Sequence, residues 1–481
     1  MKKSDIGKKI VSVILGALLG GFMWRVRGDG GFGSSWGLYG VGLVLMLLIY
    51  HFYGNRKGMK YEMIPLGSLM LGLSVTGYAT VIEQLAGVVW SDLPYSGEMI
   101  RGLEPVFIGP NGDVYAPIDH YSGAAIIFTM AFTLIPLFAF FVTSLFSGKE
   151  YKIKHYIIAI AVFNISSLIF KATVSHFIIQ LINPDQVSYA VLGLEAYGHS
   201  YQSPMAAYMS HFLDRGWAQD IPFFENYYMS IEHISDALAV IVLSAYPLIF
   251  RKDKYTCFGS LALNSLTAVT TTALTALVSS HFDSGFFKGV EFSEIFRRFA
   301  TWGIWEFFTG FFIGLFIMAF LAFTADRHTK ESGFDRSPLF KDKRINFGFS
   351  FLLTVFILGV APARAIGIRF ARMLVFLGAL SDDEPLGTIL TVVISIILGL
   401  IFLRIMSINM LKNGSDAFDM SPAGFARITL PAYLGMCFFV YFFFDGIGIL
   451  NISTDITVPV MLVTSVLIAM IYIPVRKTLK N

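Results

Sequence analysis

The chain has 481 residues, with 36 Lys and Arg against 33 Asp and Glu and a formal net charge of +3. It is 55% hydrophobic and only 14% charged, with a mean hydropathy of +0.66, whereas a soluble domain carries roughly 25% charged residues. A soluble core cannot absorb that much apolar surface, a cysteine-rich metal centre cannot be built from Cys257 and Cys437 alone, and no nucleic-acid partner is expected.

In chain order, apolar stretches recur near 8–24, 36–53, 63–90, 121–147, 156–182, 234–250, 256–281, 302–324, 347–364, 386–408, 428–450 and 456–475. Each approaches or exceeds the roughly 20 residues needed to cross about 30 Å of hydrocarbon. Lipid offers no partner to a bare backbone group, so these stretches are predicted helices, and they are too long and too uniformly apolar for a closed barrel. The fold class is therefore an all-α integral membrane protein, a single polytopic membrane domain over 1–481 with about 12 transmembrane helices and folded extracytoplasmic loops. Lys2, Lys3, Lys8 and Lys9 ahead of the apolar run from Ile10 to Trp24 imitate a signal peptide. Further spans follow directly, so that run is read as the first span.

Two thirds of the 36 Lys and Arg fall on one set of alternating loops. These include Lys149, Lys152 and Lys154, then Arg251, Lys252 and Lys254, and a cluster in a loop at about 325–346. Basic residues are retained inside, so both termini and the 325–346 loop are expected to be cytoplasmic in a multi-pass protein of the cell membrane. The opposite face holds most acids and His120, His176, His199, His211, His233 and His281. Its two longest segments, about 91–120 and 183–233, are too long and too aromatic for plain turns and are read as folded extracytoplasmic caps.

Candidate sites follow the same order. In "WRVRGDGGFGSSWG", Trp24 to Gly37, Arg25 and Arg27 precede glycine-rich backbone, a combination that suits phosphate or carboxylate, with Asp29 as an orienting group or base. A tight re-entrant hairpin anchored by the arginines is the bland alternative. Glu83, Lys171, Asp236, Glu306, Arg404 and Asp445 fall inside hydrocarbon, where an unpaired charge costs at least a few kcal/mol. Lys171, near the middle of the fifth span, needs a carboxylate partner, for which Glu83, Asp236 and Glu306 are the candidates. In the 183–233 cap, Glu195, His199, His211 and Asp214 are candidate acid–base groups. In "IEHISDAL", Glu232 and Asp236 share a helical face at the mouth of the sixth span, with His233 beside them. Farther on, Arg297, Arg298, Arg364, Arg369 and Arg372 place cations on the outer side, which suggests an anionic ligand. Asp382, Asp383 and Glu384 in "SDDEP" could pair with them or bind a divalent cation. No HExxH or other zinc spacing occurs, and no protein metal site is assigned.

Two functions fit this inventory. The first is a membrane-embedded transferase or polymerase acting at the extracytoplasmic face on a lipid-linked, phosphate-bearing glycan or envelope precursor. Asp29, Glu195, His199, His211, Asp214, His233 and Asp236 are then the catalytic candidates, and Arg25, Arg27, Arg297, Arg298, Arg369 and Arg372 the substrate clamps. The second is an ion-coupled secondary transporter in which Glu83, Lys171, Asp236 and Glu306 supply the buried charge. An accessory or scaffold role is third. Membrane lipid is a partner in every case. The layout resembles polymerases and ligases of cell-surface glycans, although no stretch carries one of their motifs.

Overall fold

The computed structural model describes residues 3–29, 35–54, 63–74, 107–108, 114–115, 131–212, 224–283 and 304–326, with isolated positions elsewhere up to residue 400. The regular structure among the described residues is helical apart from one minimal antiparallel pairing, β1 (Phe107–Ile108) with β2 (Val114–Tyr115). The helices are α1 (Lys3–Asp29), α2 (Ser35–Ile49), α3 (Met63–Ser74), α4 (Pro136–Phe146), α5 (Ile153–Lys171), α6 (Val174–Ile182), α7 (Pro184–Ala196), α8 (Pro204–Ser210), α9 (Phe224–Arg251), α10 (Lys254–Asp283) and α11 (Ile304–Thr324). A π-helical turn, Tyr50–Gly54, extends α2.

Five of these are long and apolar enough to cross a membrane: Ile6–Trp24, Ile153–Lys171, Ser230–Arg251, Lys254–Leu274 and Glu306–Thr324. The spans expected near 428–450 and 456–475 lie outside the described residues, as does that near 347–364 except for Gly348, and those near 63–90, 121–147 and 386–408 are described only in part.

What marks this as a membrane protein is the direction of its amphipathicity. On α5 Ile157, Ile158, Ile165, Leu168 and Ile169 are exposed, together with Lys154 in the first turn and Asn164, whose amide donates to the Ile160 carbonyl, while His155, Ser167 and Lys171 are buried. On α10 Phe258, Leu266 and Val269 face out, while Ser260, Asn264, Thr267 and Thr271 face in. Water would select the reverse arrangement. A hydrocarbon solvent accepts the isoleucines and drives the polar groups together.

The chain divides into two compact units, one of Met1–Thr76, Phe141–Ile153 and Ser293–Asn481, the other of Gly77–Phe140 and Lys154–Phe292. In the first, α1 and α11 pack antiparallel along a seam of small residues. Gly16 and Gly20 of α1 meet Gly314 and Gly310 of α11 so closely that a methyl on either side would enter the partner backbone, and one on Gly21 would stand 2.8 Å from the Phe307 carbonyl oxygen. Close backbone approach of this kind replaces the hydrophobic driving force that lipid removes. At one end of the seam Lys9 Nζ lies 2.6 Å from Asp326 Oδ2.

In the second unit, short helices pack on the N-terminal half of α9. Asn183 caps α7, accepting from the Gln186 N–H at 3.1 Å with Pro184 in the first turn, and Ser203 does the same for α8, accepting from Ala206 N–H at 3.2 Å ahead of Pro204. Their apolar faces, with Ile179, Leu194 and Ala207, close over Tyr208, Phe224, Tyr227, Tyr228 and Ile231. That packing explains why α9 begins at Phe224, well before the span predicted from 234. The helix ends at Lys252, which takes a left-handed φ of 54° and lets Asp253 N–H reach the Pro247 carbonyl at 3.0 Å. Asp253 then caps α10 through Thr256 N–H at 3.1 Å, so α9 and α10 form a tight antiparallel hairpin.

Candidate functional site

The run from 156 to 182, expected as one span, is two helices. α5 stops at Lys171, two turn residues follow, and α6 starts at Val174. The sequence there, Lys-Ala-Thr-Val-Ser-His, holds no Pro or Gly, but it clusters β-branched and hydroxyl side chains that compete with helix. Thr173 Oγ1 donates to the Ile169 carbonyl at 2.6 Å. The Lys171 carbonyl, released by the break, is met at 2.8 Å by His176 Nε2. A carbonyl only accepts, so Nε2 carries the proton, and in the neutral ring Nδ1 accepts from the Tyr227 hydroxyl at 2.8 Å. Burial pushes the Tyr227 phenol up, which keeps it a donor.

Because α5 ends there, the Lys171 side chain leaves the last turn directly into the bundle and is only 7% exposed. Its Nζ lies 2.5 Å from Glu232 Oε2 and 3.9 Å from Asp236 Oδ1. Glu232 Oε1 accepts from the Tyr208 hydroxyl at 2.6 Å, and Asp236 Oδ1 accepts from Ser167 Oγ. The cluster is extended by Ser175 and Ser235, whose hydroxyls are 2.7 Å apart, and by Gln186 Nε2, which donates to Ser230 Oγ at 2.9 Å. Five helices thus contribute: α5, α6, α7, α8 and α9. Charges this deep persist only when their remaining lone pairs and protons are satisfied, and the tyrosine and serine hydroxyls do that here.

Of the expected partners for Lys171, the structure brings in Asp236, but as the longer contact. The short one is to Glu232, which the sequence places on the same helical face. The group "IEHISDAL" lies at the start of the membrane-crossing segment Ser230–Arg251, and because α9 itself begins upstream at Phe224, Glu232, His233 and Asp236 sit two to three turns inside the helix and are all buried. Glu306 is buried on α11 of the other unit.

The cap residues are arranged differently. His211 Nε2 and the Tyr201 hydroxyl are 2.8 Å apart, and the His199 ring lies 6.4 Å from the Tyr201 ring, so two predicted histidines flank one tyrosine. Glu195 is exposed near the end of α7. In the glycine-rich motif α1 continues through Asp29, so Arg25, Arg27 and Asp29 lie on a helix rather than in a loop, and a helix C-terminus presents carbonyls rather than an N–H cradle. Their side chains, the following Gly30–Ser34 segment, and Glu83, Asp214, Arg297, Arg298, Arg364, Arg369, Arg372, Asp382, Asp383, Glu384, Arg404 and Asp445 lie outside the described residues. Among the described residues no three His, Cys, Asp or Glu side chains converge as a metal site would require.

Tyr208, Tyr227, Ser167 and His176 complete the site and were not singled out as site residues from the sequence. A tyrosine among apolar neighbours reads as packing until its partner is known. No protein-family model matches the chain, and neither a curated protein nor a solved structure is similar to it.

Proposed function

We propose that this protein is a secondary transporter of the cell membrane and that the charged cluster at the α5–α6 break is its working site. The observation that carries the reading is the break itself: a discontinuous apolar helix whose end delivers Lys171 onto Glu232 and Asp236. The break directly follows the membrane-crossing segment Ile153–Lys171, and Glu232 and Asp236 lie in the first turns of Ser230–Arg251. Irregular backbone there is tolerated where it lines a protein-enclosed polar space, and interrupted helices are where transporters place substrate and coupling ions. Lys171 suits an anionic group on the solute, and the two carboxylates suit a cation. About 12 spans with both termini cytoplasmic is the topology we adopt. The Lys9–Asp326 pair supports it, because it holds the start of α1 and the end of α11 at one end of their unit, as the charge bias asks.

The test is transport by the purified protein in proteoliposomes. Solute-induced currents are screened with amino acids, sugars and organic acids under sodium or pH gradients. A current that disappears in Lys171→Met and in Asp236→Asn, with both proteins still monodisperse, is the expected result. Absence of any solute- or gradient-driven flux overturns it.

The transferase reading has one observation in its favour, the half-buried His199–Tyr201–His211 group, which a lipid-linked substrate with a divalent cation could approach. Accumulation of a lipid-linked precursor in cells lacking the protein, reversed by wild type and not by His211→Ala, is what that reading requires.

A further inference from the structure

The interface between α9 and α10 holds polar groups that the cluster at Lys171 does not use. Ser260, Asn264, Thr267 and Thr271 recur every three or four residues, so they form one stripe on α10, and all four are buried within its membrane-crossing segment. Asn264 Nδ2 donates to the Ser260 carbonyl at 2.9 Å, which fixes the amide so that Oδ1 points away from its own helix. That oxygen has no hydrogen-bond partner, and neither has Thr267 Oγ1, although Asn264 is 1% and Thr267 0% exposed. Some threonines settle this need by donating to the carbonyl four residues back, as Thr270 does at 2.8 Å and Thr324 at 2.6 Å. Thr267 does not.

The register of the hairpin shows what lies across from the stripe. Ser260 and Ser244 meet at 3.4 Å, and three turns farther along each antiparallel helix, about 16 Å away, come Thr271 on α10 and His233 on α9. By the same register Asn264 and Thr267 fall between these pairs, level with Val240 and Ala237, neither of which offers a side-chain hydrogen-bond partner. Glu232 and Asp236 bring two carboxylates to the adjoining face of α9, against the single charge of Lys171.

We infer that this seam binds a monovalent cation of sodium size, held by Asn264 Oδ1 and Thr267 Oγ1. The unmet groups are neutral hard oxygens, the donor type that replaces water around an alkali cation. A cation there also answers the negative field of Glu232 and Asp236 in a medium that screens little. The inference rests on the transport reading and deepens it by naming the coupling ion.

Its test needs no transported solute. Equilibrium binding of radioactive sodium to the purified full-length protein is measured against choline and potassium chloride, in wild type, Asn264→Leu and Thr267→Val. Saturable binding in wild type is expected, weakened about tenfold or more in each variant, as when a charge loses one oxygen partner. Sodium should also raise the thermal stability of wild type, since a ligand of the folded state stabilises it. Wild type that neither binds sodium nor gains stability overturns the site and leaves ordered water as its occupant, as does undiminished binding in both monodisperse variants. Sodium binding without solute flux in proteoliposomes keeps the site and defeats the transport reading. Flux indifferent to sodium and to both substitutions keeps transport and defeats the site.

Discussion

Two helix interfaces in this molecule solve the same problem by opposite means. Lipid tails are as apolar as leucine, so burying leucine between membrane helices yields little, and association needs either very close packing or polar contacts. The α1–α11 seam takes the first route, with Gly16, Gly20, Gly310 and Gly314 bringing the backbones together. The interface of α5 and α6 with α9 takes the second, with Lys171, Glu232, Asp236, Ser167, Ser175 and Ser235. A glycine seam has one well-packed state. A network of charges and hydroxyls has several ways to share its protons and partners. That makes the first suited to a fixed frame and the second to a site that responds to a ligand.

The largest effect should follow from removing Lys171, the one Lys or Arg among the described residues of the polar interface. Lys171→Met leaves Glu232 and Asp236 buried without their lysine, and breaking a buried pair in this way costs about 3–5 kcal/mol. Unfolding in mixed micelles should register that loss, and the triple change Lys171→Met, Glu232→Gln, Asp236→Asn should recover most of it. A single variant within about 1 kcal/mol of wild type, the range of surface pairs, would mean that water already solvates the cluster.

Next in size is a break in the glycine seam. Gly20→Val drives a side chain into the Gly310 carbonyl, which the backbone cannot yield to locally, and overpacking of this kind costs about 1–3 kcal/mol or more. Gly7 lies on the same helix with nothing near its added methyl, so Gly7→Ala should be neutral or gain up to about 1 kcal/mol from helix propensity. Equal stability of the two variants would remove close packing as the explanation of the seam.

The sequence was most legible where a single residue type decides the outcome. Apolar length alone placed α1, α9, α10 and α11, and Lys171 announced a buried charge because nothing else explains lysine among isoleucines. It was least legible where position in space decides. Glu232 and Asp236 stand four apart on one face, but which of them meets Lys171 depends on how far α9 extends upstream, and that is fixed by aromatic packing at Phe224, Tyr227 and Tyr228. The α5–α6 break carries only a weak local signal, the Thr-Val-Ser run, and was read through as one span. Tyr208 and Tyr227 act through partners distant in sequence, Glu232 and His176 respectively, which no periodicity reveals. Of the glycine-rich motif after Trp24, the arginines are placed on a helix that apolar patterning had ended at residue 24.

The smallest effect gives the sharpest comparison. Each unit contains a buried hydroxyl–hydroxyl bond of 2.7 Å: Ser12 with Tyr53 in the glycine-packed unit, and Ser175 with Ser235 in the polar one. Ser12 also donates to the Lys9 carbonyl, so the Tyr53 hydroxyl is the donor to Ser12; Ser235 donates to the Ile231 carbonyl, so Ser175 is the donor to Ser235. Tyr53→Phe and Ser175→Ala each remove the donor of one neutral bond and leave the acceptor serine its carbonyl partner, so each should cost about 0.5–1.5 kcal/mol in unfolding. Their effects on transport should part company. The Tyr53–Ser12 bond supports a frame, and its loss should leave solute currents within the variation between preparations. Ser175 touches the helix that carries Glu232 and Asp236, one turn beyond the Lys171 break, and its loss should shift the solute concentration dependence of the current. Matched stability losses with unmatched transport would separate frame from site on bonds of equal length and type, whereas equal transport effects would mean that the two interfaces do not divide those roles.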